Sequence, residues 1–184
     1  EKRLDYAPGE VKLVVLATET PEGLLNIKDF GACPRVDALS WGAEDLSAAI
    51  GARRNRDEAG QFLEVFRYAR LMTLLAATAA GVQPLDTVFV DFRDSEGLRR
   101  DCVEGAWMGF TGKITIHPNQ IDTVNTVFSP SAEEIAESQE LLAAFEENEK
   151  AGKMAFSFKG QMVDVPHLTR ARTILERAKQ AGLG

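Results

Sequence analysis

The 184 residues suffice for one ordinary domain with a sizeable core, and 45% hydrophobic against 27% charged residues is the balance of a soluble globular chain. A net charge of −7 argues against a nucleic-acid partner, which demands a basic footprint, and no apolar run approaches the roughly 20 residues of a membrane span. The two cysteines, Cys33 and Cys102, have no metal or redox spacing, so the expectation is a reducing, cytoplasmic setting without disulfides; no secretory signal opens the chain, and its first residues read as the middle of a protein.

Residues 11–18 are a β-branched run with few polar positions, the pattern of a buried parallel strand. Thr20-Pro21-Glu22 supplies a cap, a proline at the first helical position and an early acid, predicting a helix to about residue 30. Gly31 and Pro34 break the chain before a second short strand at 37–41, and a brief helix at 44–50 stops at Gly51. A long helix is expected over 61–80, with Phe62, Val65, Phe66, Ala69 and Met72 on one stripe. A third strand at 85–90, its helix at 95–108 and a fourth strand at 113–116 follow. Pro118 cannot donate to a sheet ladder, so this strand ends at His117 and the chain turns outward. Ser131-Ala-Glu-Glu134 is a capping box opening a helix to residue 150. A loop with room for short strands spans 155–163, and Pro166 starts a last helix to 181. Four strand–helix alternations indicate α/β with a parallel sheet, and no repeat or linker divides the chain. Four such units are half of an eightfold barrel, which takes about 250 residues. Residues 1–128 account for them, and residues 129–184 read as an arm that packs elsewhere.

Each strand delivers a polar group just past its C-terminal end: Glu19, Asp45, Asp91 and His117. In a βα barrel such groups converge on one mouth. Glu19 and Asp45 follow adjacent strands, and two carboxylates with waters and substrate oxygens suit Mg²⁺. The same two acids serve equally well as helix-capping residues. Gly42-Ala43-Glu44 opens a helix with little side chain in the way, so its N–H groups suit a carboxylate. His117 can be a base, a ligand contact or a structural hydrogen-bonder. Asp164 by itself reads as the N-cap of the last helix, and His167 as an end-capping or packing residue. Arg53, Arg54 and Arg56 form a local basic cluster that leaves a phosphate-bearing small molecule open.

Six landmarks run in order through the chain: Glu19-Thr20…Gly23, Pro34-Arg-Val-Asp-Ala-Leu39, Gly42-Ala-Glu-Asp-Leu46, Gly81-Val-Gln-Pro-Leu-Asp86, Gly109-Phe…His117-Pro-Asn-Gln120 and Gly160-Gln-Met-Val-Asp164. Together they resemble the HpcH/HpaI aldolase/citrate lyase family in its CoA-thioester branch, which includes citrate lyase β subunits and malyl-CoA lyases. The resemblance implies a TIM (β/α)8 barrel of the phosphoenolpyruvate/pyruvate type, of which this chain supplies the second half and a C-terminal helical arm. It implies Glu19 and Asp45 as Mg²⁺ ligands, the turn Gly42, Ala43 and Glu44 as the keto-acid carboxylate site, and His117, Pro118 and Gln120 near CoA. It also implies Asp164 as the acid that the arm carries into a neighbouring subunit's site, and a homo-oligomer, trimer or hexamer. The implied reaction is Mg²⁺-dependent cleavage of a 3-hydroxyacyl-CoA (citryl-, citramalyl- or malyl-CoA type) to an acyl-CoA and a 2-keto acid. The alternatives are an acyl-CoA thioesterase, a pyruvate-type aldolase or a non-catalytic CoA-binding assembly subunit. The family's first four strands, with their substrate-binding arginine, would precede Glu1.

Overall fold

Four parallel strands, β1 (Leu13–Leu16), β2 (Val36–Ser40), β3 (Gln83–Asp86) and β4 (Gly112–Lys113), form a sheet in the order β1-β2-β3-β4. The structure is a computed structural model that describes residues 1–150 and 152–183. Each strand is added to the same edge with no reversal of order, so right-handed crossovers carry the connecting helices to one face. On that face Val15 and Leu39 pack with Ile27 and Ala77. The opposite face presents Val14 and Leu16, 53% and 42% exposed.

The connections are α1 (Pro21–Leu25), α2 (Ile27–Phe30), α3 (Ala43–Ala49), α4 (Glu64–Ala80), α5 (Ser95–Met108) and α6 (Ile121–Phe128). Local chemistry explains their starts. Thr20 Oγ1 accepts the Gly23 N–H at 3.1 Å ahead of Pro21, and Asp94 Oδ1 accepts the Gly97 N–H at 2.8 Å. The main core gathers Leu24, Trp41, Leu46, Phe66 and Phe110, and Phe62 meets Trp41 edge-on at 4.9 Å.

Several expectations are corrected. The helix expected to run to residue 30 is two short ones broken at Asn26. The long helix begins at Glu64, so Phe62 reaches the core from a loop. Val65, expected on the buried stripe, is 39% exposed, and the buried positions are Phe66, Ala69, Arg70, Thr73 and Ala77. The third strand is Gln83–Asp86, not 85–90, and the apolar run Val88-Phe-Val90 forms a loop. The fourth strand is shorter than expected, although Ile114 N–H still bonds Asp86 O at 3.0 Å.

The chain forms two compact units, Glu1–Phe128 and Ser129–Gly184. The second holds α7 (Ala132–Lys150), a hairpin of β5 (Phe156–Phe158) and β6 (Gln161–Val163), and α8 (Val165–Gln180). The Ser131 and Glu134 capping box is present, with reciprocal bonds of 3.1 and 2.8 Å. The hairpin turns at Lys159-Gly160, both with positive φ, as a two-residue turn requires. Leu141, Phe145, Val163 and Ala171 form this unit's own core. Among the described residues no helix is long and apolar enough to cross a membrane.

Candidate active site

β1 and β2 end side by side, and the residues after them converge on Gly42. The buried Thr18 accepts the Gly42 N–H through Oγ1 at 3.3 Å, tying the two loops together. A Cβ placed on Gly42 would stand 2.9 Å from Glu19 Cγ, 3.6 Å from Glu19 Oε1 and 3.7 Å from Asp45 Oδ2. Glycine is what lets Glu19 lie against this backbone. Both carboxylates therefore border one small volume at the C-terminal end of the sheet. Neither acid caps a helix: Thr20 caps α1, and Gly42 is the N-cap of α3 with no side-chain bond. Two hard oxygen donors fit a divalent cation such as Mg²⁺, which keeps several waters or substrate oxygens. Among the described residues no set of three His, Cys, Asp or Glu gathers.

The start of α3 leaves its first N–H groups without helical acceptors. Ala43 is buried and Glu44 exposed, its Oε1 accepting Asn55 Nδ2–H at 2.6 Å. A pocket of about 480 Å³ opens beside Ala43 and Glu44, between Phe62, the 88–91 loop and α5. Arg56 on its wall is already engaged: it bonds Asp101 Oδ1 at 3.1 Å and Gly60 O at 2.7 Å, and its guanidinium lies 3.5 Å over the Phe62 ring. Of the basic cluster, Arg53 and Arg54 stay exposed.

At the end of β4, His117 caps a 3₁₀ turn, Pro118–Gln120. Its Nδ1 accepts the Asn119 N–H at 3.2 Å. The ring stacks on Phe92, 4.7 Å between centroids and 14° from parallel. Gln120, expected beside CoA, is 1% exposed. Its Oε1 accepts the Ile116 N–H and its Nε2 donates to Phe89 O, at 2.9 and 2.8 Å. That placement makes Gln120 a tie between the loops after β3 and β4, and it leaves His117 and Pro118 at the rim. Asp91 is exposed in the loop after β3, accepting the Arg93 N–H.

Sequence reasoning did not reach a buried ion cluster behind the turn. Asp86, fully buried, accepts Arg70 Nε–H at 3.2 Å, Arg70 Nη2–H at 2.8 Å and the Trp41 indole N–H at 2.8 Å, and Lys113 Nζ lies 3.4 Å away. Lys113 also pairs with Asp101 at 2.6 Å, and Arg70 with Glu104 at 3.2 Å. Burial alone would raise the Asp86 carboxyl. The Lys113 ammonium and the Arg70 guanidinium, with the bonds from Arg70 and Trp41, outweigh it and hold the group below the usual carboxylate range. Next to the cluster, burial pushes the Cys102 thiol up to about 11. The available signal was one charge amid an apolar stripe: Arg70 follows Phe66 by one helical turn.

The fold has counterparts among known proteins. The family model for HpcH/HpaI aldolase/citrate lyase matches residues 3–118, well over half of the chain. The chain belongs to the HpcH/HpaI aldolase/citrate lyase family. It is 43% identical over 171 residues to mitochondrial citramalyl-CoA lyase of Mus musculus, covering 87% of this chain and 48% of that protein. It is 38% identical over 161 residues to a (3S)-malyl-CoA thioesterase of Cereibacter sphaeroides, covering 88% and 55%. The crystal structure of protein CitE from Mycobacterium tuberculosis in complex with magnesium, acetoacetate and coenzyme A superposes with a TM-score of 0.77 at 38% identity, over 92% of this chain and 61% of that one. The chain spans about half the length of the curated relatives it matches.

This citrate lyase family chain carries Asp164 in its second unit, at the N-cap of α8. His167 Nδ1 stands 2.7 Å from Asp164 Oδ1, and both side chains are part-exposed. The capping part read from the residues is therefore present, and His167 is its partner.

Proposed function

We propose that the four βα units are the C-terminal half of a (β/α)8 barrel followed by an arm, and that the complete site is a Mg²⁺-dependent carbon–carbon lyase. Its substrate is a 3-hydroxyacyl-CoA of the citramalyl-, citryl- or malyl-CoA type, and its products are an acyl-CoA and a 2-keto acid. The observation that carries this reading is the approach of Glu19 Oε1 and Asp45 Oδ2 to one point over Gly42, beyond adjacent strand ends. The relatives' activities supply the substrate class, and the consecutive strand order supports the half barrel.

Glu19 and Asp45 would hold the cation, which when bound supplies Lewis acidity to the keto-acid oxygens. The N–H groups of the Gly42, Ala43 and Glu44 turn face a substrate carboxylate, favoured there by the helix dipole. His117 and Pro118 border the CoA side, and Gln120 holds their loop from behind. As the carbon–carbon bond breaks, its electron pair passes to the thioester α-carbon and the 3-hydroxyl loses its proton to become the keto-acid carbonyl; Asp164, with His167 beside its carboxyl group, delivers a proton to that carbon in exchange. An arm reaching another copy's site, in a homotrimer or hexamer in the cytoplasm, completes the proposal. A second reading, hydrolysis of the thioester, is favoured by the likeness to a malyl-CoA thioesterase.

The test is keto-acid release from citramalyl-CoA and malyl-CoA with Mg²⁺ and with excess EDTA. Glu19→Gln and Asp45→Asn should each lower kcat/KM at least about a hundredfold, the equivalent of losing several kcal/mol of Lewis-acid stabilisation. Full turnover in either variant removes that residue from the metal site. Free CoA thiol appearing without keto acid would assign hydrolysis of the intact thioester.

A further inference from the structure

The ion cluster lies on the helix side of the sheet, while the carboxylates lie at its rim, yet one side chain joins them. Trp41 precedes Gly42. Its indole is fully buried, its N–H reaches Asp86 Oδ1 at 2.8 Å, and its ring is held edge-on by Phe62. Asp86 is itself fixed from both neighbouring layers, by Arg70 on α4 and Lys113 on β4. A carboxylate held by three donors cannot follow a moving partner, so the indole and the backbone that continues into Gly42 are fixed with it. From the other side, Thr18 Oγ1 accepts the Gly42 N–H and its own backbone leads into Glu19. Gly42 is thus clamped between Asp86, through Trp41, and the loop that carries Glu19. The Glu19 carboxylate rests on that clamped backbone and Asp45 faces the same point.

We propose that the Asp86–Trp41 hydrogen bond and the Thr18–Gly42 hydrogen bond are positioning devices that set the spacing of Glu19 and Asp45 for a hard divalent cation. The inference rests on the metal reading above and deepens it. A cluster that only glued helices to the sheet would not require an indole N–H at the residue before the cradle. Nor would it need a buried threonine to bind that cradle's amide. Groups that orient metal ligands from behind change affinity without touching the ion.

The experiment is Mn²⁺ titration of the protein by electron paramagnetic resonance, with thermal unfolding measured in parallel. Trp41→Phe keeps the ring against Phe62 and deletes the N–H. It should weaken Mn²⁺ binding about tenfold, beyond the fall in melting temperature that the lost buried volume and hydrogen bond bring, because the protein still folded at the titration temperature is what is titrated. Thr18→Val, which deletes the Oγ1 acceptor at equal volume, should weaken binding similarly and decides the matter if Trp41→Phe does not fold. Asp86→Asn keeps an acceptor oxygen for the indole but removes the charge, so it should lower stability more than Mn²⁺ affinity. Wild-type affinity in Trp41→Phe or, if that variant does not fold, in Thr18→Val overturns the positioning role and leaves the metal site intact. No Mn²⁺ binding by the wild-type protein, or binding unchanged by Glu19→Gln and Asp45→Asn, overturns the metal site and this inference with it.

Discussion

Gly42 has an ordinary backbone conformation, so its value lies in what it leaves out. Alanine there would place a methyl group 2.9 Å from Glu19 Cγ, a mid-chain atom that can move only by carrying its carboxylate away from Asp45. Gly42→Ala should therefore leave the unfolding midpoint close to wild type while weakening divalent-cation binding roughly ten- to a hundredfold, as small misplacements at reacting centres do. Calorimetric titration with Mg²⁺ checks this, and an affinity within a factor of two of wild type would mean that Glu19 does not need that space. Gln120 teaches the converse. Its position in the His-Pro-Asn-Gln motif suggests a ligand contact, and only its burial and two internal bonds reveal a structural part.

At the scale of elements, α5 is the most legible and the most constrained. Its expected bounds, 95–108, are the observed ones, with Asp94 capping its start and Gly109 its end. What could not be read is why Gly105 occupies the middle of a helix, where glycine costs about 1 kcal/mol relative to alanine. A Cβ at Gly105 would lie 2.9 Å from Asp86 Oδ2 and 3.4 Å from Arg70 Nη2. Those atoms are pinned by one another and by Lys113, so they cannot swing aside. Gly105→Ala should thus reverse its usual sign and destabilise by about 1–3 kcal/mol, as overpacking does, read from the urea midpoint. A stabilised variant would show that the cluster yields. β3 makes the same point: Val88-Phe-Val90 has strand composition, but the ladder ends at Asp86, whose side chain is held by Arg70 on α4 and by Lys113.

For the molecule as a whole, the ion cluster predicts how stability depends on pH. Asp86 is held below its ordinary value, about 3.9, so the folded state binds its proton less readily than the unfolded chain. Its contribution is fully present above that ordinary value and is lost as pH falls toward the depressed one. The denaturation midpoint of the first unit should stay level from pH 7 to about 5 and drop below about 4. Asp86→Asn should be less stable at neutral pH, because Arg70 and Lys113 lose their partner, but flatter below pH 4. A wild-type midpoint that already falls near pH 6 would point to another titrating group.

The order of strands and helices, the caps at Thr20 and Ser131, the acids past the strand ends and the landmarks from Glu19 to Asp164 were all legible in the sequence. Each is written within a few neighbouring residues, through periodicity, capping and turn chemistry. The tertiary structure alone decided that Glu19 and Asp45 share the space over Gly42, that Gln120 faces inward and that Asp86 anchors Trp41. These pairings bridge 45 positions from Trp41 to Asp86, 27 from Lys113 to Asp86 and 24 from Gly42 to Thr18. Distances of that kind are set by how strands register and helices pack, and no local pattern in the chain encodes them.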